Sequence, residues 1–162
     1  MNFNEFFRFL TRQIVPKMQR HQGLAVFARN RSKFEGWLKV ELVDSLSRHF
    51  DDVQPEHNRV DVTFDSWVVE LKTPNTNIRF PNVFNRARPI ALNVKNIISD
   101  VSKLRRLRVP NRAIVFVAFP TRHNNPRWQK QLLKISRRGV ELKYYEFSFA
   151  GDIPAVIYCG KV

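Results

Sequence analysis

Apolar positions recur at two periods along this chain, and the switches between them mark its elements. Phe3, Phe6, Phe7 and Leu10 fall at helical spacing within residues 3–20, a helix that Pro16 should interrupt. Residues 33–50 repeat the pattern, with Leu38, Leu42 and Leu46 in one stripe and Ser32 standing where the helix should begin. The period then drops to two. Val60, Val62 and Phe64 alternate with Arg59, Asp61 and Thr63; Trp67, Val69 and Leu71 alternate with Val68, Glu70 and Lys72. Residues 59–64 and 67–73 therefore read as strands about an Asp65-Ser66 turn. A polar loop with three prolines follows at 73–92. Helical spacing returns over 93–108 through Val94, Ile97, Ile98, Val101, Leu104 and Leu107. The run AIVFVAFP at 113–120 is apolar almost without a break, as a strand buried on both faces must be. Residues 127–137 read as a helix, with Trp128, Leu132, Leu133 and Ile135 reaching the core, and 140–149 and 155–159 as final strands. This order predicts an α/β (α+β) fold: a mixed central sheet flanked by helices, one domain over 1–162, with an extra N-terminal helical extension over 1–22.

Composition narrows the partners. Twenty-eight Lys and Arg against fourteen Asp and Glu leave a net charge of +14, more than solubility requires and suited to a polyanion. No run approaches the roughly 18 apolar residues of a membrane span. The first twenty residues carry charges throughout and lack the apolar stretch of a signal peptide. The single cysteine, Cys159, lies in the apolar run AVIYC, where a buried and inert thiol is expected. A cytoplasmic protein of prokaryotic or phage-like context is the expectation.

Pairing the two strands about Asp65-Ser66 sets residue 64 across from 67, 62 from 69 and 61 from 70. Asp61 then lies opposite Glu70, with Cβ atoms about 4.5–5.5 Å apart. Facing carboxylates repel, and a divalent cation removes the objection: Mg²⁺ is commonly held by one or two carboxylates, with water and substrate phosphate completing its shell. Lys72 shares the face of Glu70. Metal plus lysine is a set able to hydrolyse a phosphodiester. The alternative is a solvated polar face on which Lys72 neutralises Glu70.

Asp61, followed nine residues on by Glu70-Leu71-Lys72 within helix–strand–strand–helix–strand, resembles the PD-(D/E)xK nuclease superfamily over roughly residues 32–120. Val60 stands in the place of that family's usual proline. The resemblance implies a restriction-endonuclease-like core and a Mg²⁺-dependent deoxyribonuclease, with Mn²⁺ able to substitute. It implies that Asp61, Glu70 and the backbone carbonyl of Leu71 hold the metal while Lys72 positions the attacking water. The family often adds a glutamate from the preceding helix. Glu35 lies near the middle of the Leu38–Leu42–Leu46 stripe and is favoured over Glu41, although Ser32-x-x-Glu35 is also a capping box. DNA is the expected partner, with RNA open, and a homodimer would be needed to cut both strands. The alternative in another class is a non-catalytic nucleic-acid-binding module that keeps the fold and the basic face.

The basic residues cluster after the hairpin. The loop at 73–92 carries Asn75, Asn77, Arg79, Arg86 and Arg88 without an acid, and leaves directly from the Glu-x-Lys strand toward any bound phosphate. The following helix adds Lys95, Lys103, Arg105 and Arg106 as nucleic-acid contacts. Residues 101–140 hold eleven Lys and Arg and no acid. The tract RWQKQLLKISRR at 127–138 reads as a basic flanking helix rather than a recognition helix. A second Glu-Leu-Lys at 141–143 has no acid in the forty residues before it and reads as an ordinary sheet strand. The four histidines are scattered and lack zinc-ligand spacing.

Overall fold

A computed structural model describes residues 1–84 and 89–162. The N-terminal segment forms α1 (Phe3–Phe9), a π turn (Leu10–Ile14) and α2 (Val15–Arg20). The chain interrupts its helix just ahead of Pro16, whose ring crowds the carbonyl four residues back, and the wider π turn absorbs the conflict. Asn2 caps α1 reciprocally with Glu5. A short helix that the apolar pattern did not announce, α3 (Gln22–Arg29), buries Leu24, Ala25 and Ala28. The next helix, α4, spans Glu35–Ser47 and not 33–50; its N-cap is Phe34, and the Ser32–Glu35 capping box does not form. Instead the Phe34 N–H donates to Thr73 Oγ1 (3.1 Å) and the Thr73 N–H to Glu35 Oε1 (3.2 Å), so a cap is made across the tertiary fold.

Among the described residues six strands follow: β1 (Gln54–Pro55), β2 (Val62–Phe64), β3 (Trp67–Lys72), β4 (Asn111–Ala118), β5 (Glu141–Phe149) and β6 (Ile153–Lys161), in the order β1-β2-β3-β4-β6-β5. Only β3 and β4 run parallel, with α5 (Ile90–Arg105) crossing between them; α6 (Pro126–Ser136) leads into β5. The mixed sheet flanked by helices is as expected.

Each face of the sheet has its own core. Val69, Leu71, Val115, Val117 and Phe119 pack against α1 to α4, while Val68, Ile114, Phe116 and Ala118 pack against α5 and α6. β4 feeds both cores alternately, and every residue from Ala113 to Phe119 is fully buried, as its unbroken apolar run required. The N-terminal aromatics Phe3 and Phe6 dock onto the first core. Cys159 is buried there too, and burial raises its thiol pKa.

Two further expectations need correction. β2 begins at Val62, not at residue 59, because His57–Arg59 form a 3₁₀ turn with Asn58 and Arg59 in the left-handed region. The turn breaks the alternation, so Val60 joins the core on the α5 side rather than following Val62. Leu133 is exposed, because α6 buries only Trp128, Leu132 and Ile135. No helix among the described residues is long and apolar enough to cross a membrane.

Candidate active site

The hairpin pairs Phe64 with Trp67, Thr63 with Val68 and Val62 with Val69, the register that the apolar alternation implied. Asp65 turns the corner in the left-handed region that Asp tolerates, its N–H donating to Asp52 Oδ1 (3.0 Å). The next step of the ladder would be Asp61 and Glu70, and there the two strands part. Asp61 Oδ2 accepts the Leu71 N–H (2.8 Å), so a side chain takes the place of a strand carbonyl and anchors the carboxylate beside β3.

Glu70 sits in the middle of the sheet and is only 3% exposed. Burial pushes its carboxyl up to about 7; Lys103 on α5, which contacts it, pulls the other way, and the neighbouring Asp61 carboxylate adds to the rise. Asp61 lies within hydrogen-bonding reach of Glu70. Burial would raise Asp61 also, but Lys39 of α4 (2.9 Å) and the Leu71 N–H outweigh it and hold this carboxyl below its ordinary value. The adjacent acids are thus driven apart, one toward the protonated and one toward the ionised form.

Lys72 follows on the same face. Its ammonium is 3.0 Å from Asp100 of α5 and 4.0 Å from Glu35 of α4, and it donates to the Leu71 carbonyl (3.0 Å). Burial lowers a lysine's pKa, yet Asp100, with Glu35 and Asp61 behind it, more than compensates and keeps Lys72 above its ordinary value. A cleft of about 320 Å³ joins Asp61, Glu70 and Lys72 with Lys39, Glu56 and Arg59 on one side and Asp100 and Lys103 on the other.

Of the two helix glutamates, Glu35 is drawn to Lys72, whereas Glu41 pairs with Lys17 (2.6 Å), away from the cleft. Lys103 enters the cleft. Lys95 stands exposed on α5, Arg106 exposed just past its end, and Arg79 exposed in the loop. Arg105 donates to the Arg138 carbonyl. Asn75 is buried: it donates to the Arg31 carbonyl (2.6 Å) and accepts from Asn93, so its side chain serves the loop and not the surface. Arg31, itself buried, donates to the carbonyls of Thr76, Ile78 (2.7 Å) and Phe84 (2.7 Å), fixing the segment after β3. Arg86 and Arg88 lie outside the described residues.

Sequence reasoning did not anticipate Lys39, Glu56, Arg59 or Asp100. Two signals were available: Asp100 is the one acid in α5, and Lys39 lies one turn beyond Glu35 on α4. Among the described residues no group of three or more His, Cys, Asp or Glu side chains converges as a metal cage. Compared with family models, with curated proteins and with solved structures, the chain finds no match.

Proposed function

We propose that this protein is a Mg²⁺-dependent endonuclease that hydrolyses phosphodiester bonds of DNA, built on a restriction-endonuclease-like core. One observation carries the reading: Asp61, Glu70 and Lys72 meet in one cleft where β2 and β3 part. Two carboxylates in reach of each other, one held ionised and one raised to about 7, form a pair that a hard dication stabilises. Asp61, Glu70 and the Leu71 carbonyl are the donors for Mg²⁺, or Mn²⁺ in its place. Two carboxylates and a carbonyl suit an ion that keeps part of its water shell. The bound ion would supply polarisation of the phosphate and a more acidic water. Lys72, kept cationic by Asp100, orients the attacking water and offsets charge that develops on the phosphate; Glu35 steadies that lysine from the other side. One such site cuts one strand, so double-strand cleavage takes two copies.

A second reading has its own support. Each carboxylate already has a lysine on it, Lys39 on Asp61 and Lys103 on Glu70, an arrangement that also serves a non-catalytic nucleic-acid-binding module. The test is purified protein with Mg²⁺ and Mn²⁺ against single-stranded, duplex, flapped and four-way DNA, beside Asp61→Ala and Lys72→Ala. Metal-dependent cleavage lost in both variants, with binding in EDTA retained, supports the nuclease. Binding without cleavage on every substrate and metal leaves the module.

A further inference from the structure

The positive charge is used differently around α4 and around α6. Beside α4 the cations have acids: Lys17 on Glu41 and Asp44, Lys39 on Glu56 and Asp61, Arg48 on Asp44. Over α6 they have none. Residues 101–140 hold eleven Lys and Arg and no acid, and no ion pair among the described residues involves a cation of α6.

Packing sets where this charge points. Trp128, Leu132 and Ile135 are buried beneath α6, so Arg127, Lys130 and Lys134 line its outer side, with Arg137 just past its end, all exposed. At 1.5 Å per residue this row runs for roughly 15 Å. The neighbouring α5 sorts its charges in the same way. Val94, Ile97, Val101 and Leu104 face the core and Asp100 turns to Lys72 in the cleft, which leaves Lys95, Arg105 and, just past the helix end, Arg106 exposed, with Asn96, Ser99 and Ser102 the exposed residues between them.

Solubility does not require such sorting, because mixed charges serve it equally well. An acid-free row suits a polyanion. A bilayer is the poorer fit, since the apolar side chains of α6 lie underneath it and Leu133 alone faces out among them. Single strands are held by basic grooves with exposed aromatic platforms, and the outer rows of α5 and α6 carry no aromatic residue. We propose that the outer surface of α5 and α6 is a binding face for the phosphate backbone of a nucleic-acid duplex, on the far side of α5 from the carboxylate cleft. This rests on the nucleic-acid part of the proposed function and not on cleavage.

The experiment measures binding of a labelled duplex by fluorescence anisotropy in EDTA across a salt series. The triple variant Lys130→Gln/Lys134→Gln/Arg137→Gln should flatten the slope of log K against log salt by about 2.7, close to 0.9 for each phosphate that is no longer neutralised. The control removes the same charge from the N-terminal helices, Arg8→Gln/Arg12→Gln/Arg20→Gln, and should leave the slope unchanged. Equal flattening by both triples overturns the proposal, since charge alone would then explain it. So does a single strand of equal length that binds as tightly and is equally weakened, or binding to phosphatidylserine vesicles that the α6 triple abolishes while duplex binding persists. Wild-type binding without cleavage sinks only the nuclease reading, whereas cleavage with an unaltered slope in the α6 triple sinks only this one.

Discussion

The tripeptide Glu-Leu-Lys occurs in β3 and again in β5, and the two copies meet opposite fates. In β3 it lies between β2 and β4, with Glu70 buried and α5 laid over its face. In β5 it lies on the outermost strand, and Glu141 is exposed opposite Lys161. The faces are reversed as well. Leu71 enters the core beneath the N-terminal helices while Glu70 and Lys72 look toward α5. In β5, Leu142 packs on the α5–α6 side, and Lys143 reaches Asn4 and lies 5.6 Å over the Phe3 ring. The same three residues line a charged cleft where neighbours supply a second carboxylate and a counter-charge, and a surface where they supply a polar edge.

The largest effects are expected when the glutamates are exchanged one at a time. Glu70→Gln and Asp61→Asn should each lower Mg²⁺-dependent cleavage by more than about 10²-fold, the upper end of what losing an outer-shell partner costs. Glu141→Gln should leave cleavage within a factor of two, roughly the limit of a surface change. Equal losses at positions 70 and 141 would remove the distinction altogether. Next comes the lysine: Lys72→Ala should cost about 10²–10³-fold in kcat, the range for one preorganised charge-stabilising group. A smaller loss, about 10–100-fold, is expected for Asp100→Ala, which acts only by holding Lys72. Asp100→Asn should recover part of that loss, and duplex binding in EDTA should be unchanged in both variants. Weakened binding instead would assign Asp100 a structural role.

How far these differences could be read in advance depends on where each residue sits. The hairpin register was legible because apolar alternation leaves one pairing that buries every large side chain, and the placing of Asp61 beside Glu70 follows from it. Lys39 and Asp100 were not legible, because they come from helices whose rotation over the sheet is set by packing with residues far away in sequence. Asn75 shows the same limit from the other side. A polar loop residue next to a basic stretch suggests a surface role, yet its partners Arg31 and Asn93 draw it inside. Helix α3 was hidden because Gln22-Gly23 opens it and Leu24 to Ala28 is an unbroken apolar run without helical spacing, of which Leu24, Ala25 and Ala28 are buried and Val26 and Phe27 exposed. Glu35 stands 4.0 Å from Lys72 for a reason that the capping-box pattern concealed: its carboxylate accepts from Thr73, just past the end of β3, and does not cap its own helix.

Titration offers a gentler separation of the two copies, in chelator and without any assay of cleavage. The carboxyl of Glu70 rises from 4.5 to about 7 on folding. Between those values the native state holds a proton that the unfolded state releases, so this group's contribution to stability is full below the lower value and is lost as pH rises through the upper one. The loss is at most about 3 kcal/mol for a shift of this size. Asp61 is shifted the other way, so its contribution is lost only in acid, as pH falls below the ordinary carboxylate range. Denaturant melts should therefore show wild-type stability declining from pH 5 to pH 8, and Glu70→Gln should flatten that decline. An equal slope in the variant would show that Glu70 does not titrate in this window. Glu141→Gln, on the exposed edge, is the matched control.

The smallest expected effect tests what the second copy is for. Lys143 makes no ion pair among the described residues; it holds Asn4 and covers the ring of Phe3, which packs into the first core. A cation over an aromatic face at an exposed site is worth about 0.5–1 kcal/mol. Lys143→Ala should therefore lower the melting temperature by roughly 2–4 °C, the shift that about 1 kcal/mol produces in a domain of this size, and cleavage by the folded protein should be unaffected. Lys143→Met, which keeps the length of the side chain but not its charge, separates the two ways Lys143 could act. If charge over the ring matters, Met should be as costly as Ala; if the aliphatic stem does the covering, Met should restore the wild-type value. A loss of activity in either variant, at a temperature where both are folded, would show the second Glu-Leu-Lys to be more than a strand edge that ties the N-terminal helix to the sheet.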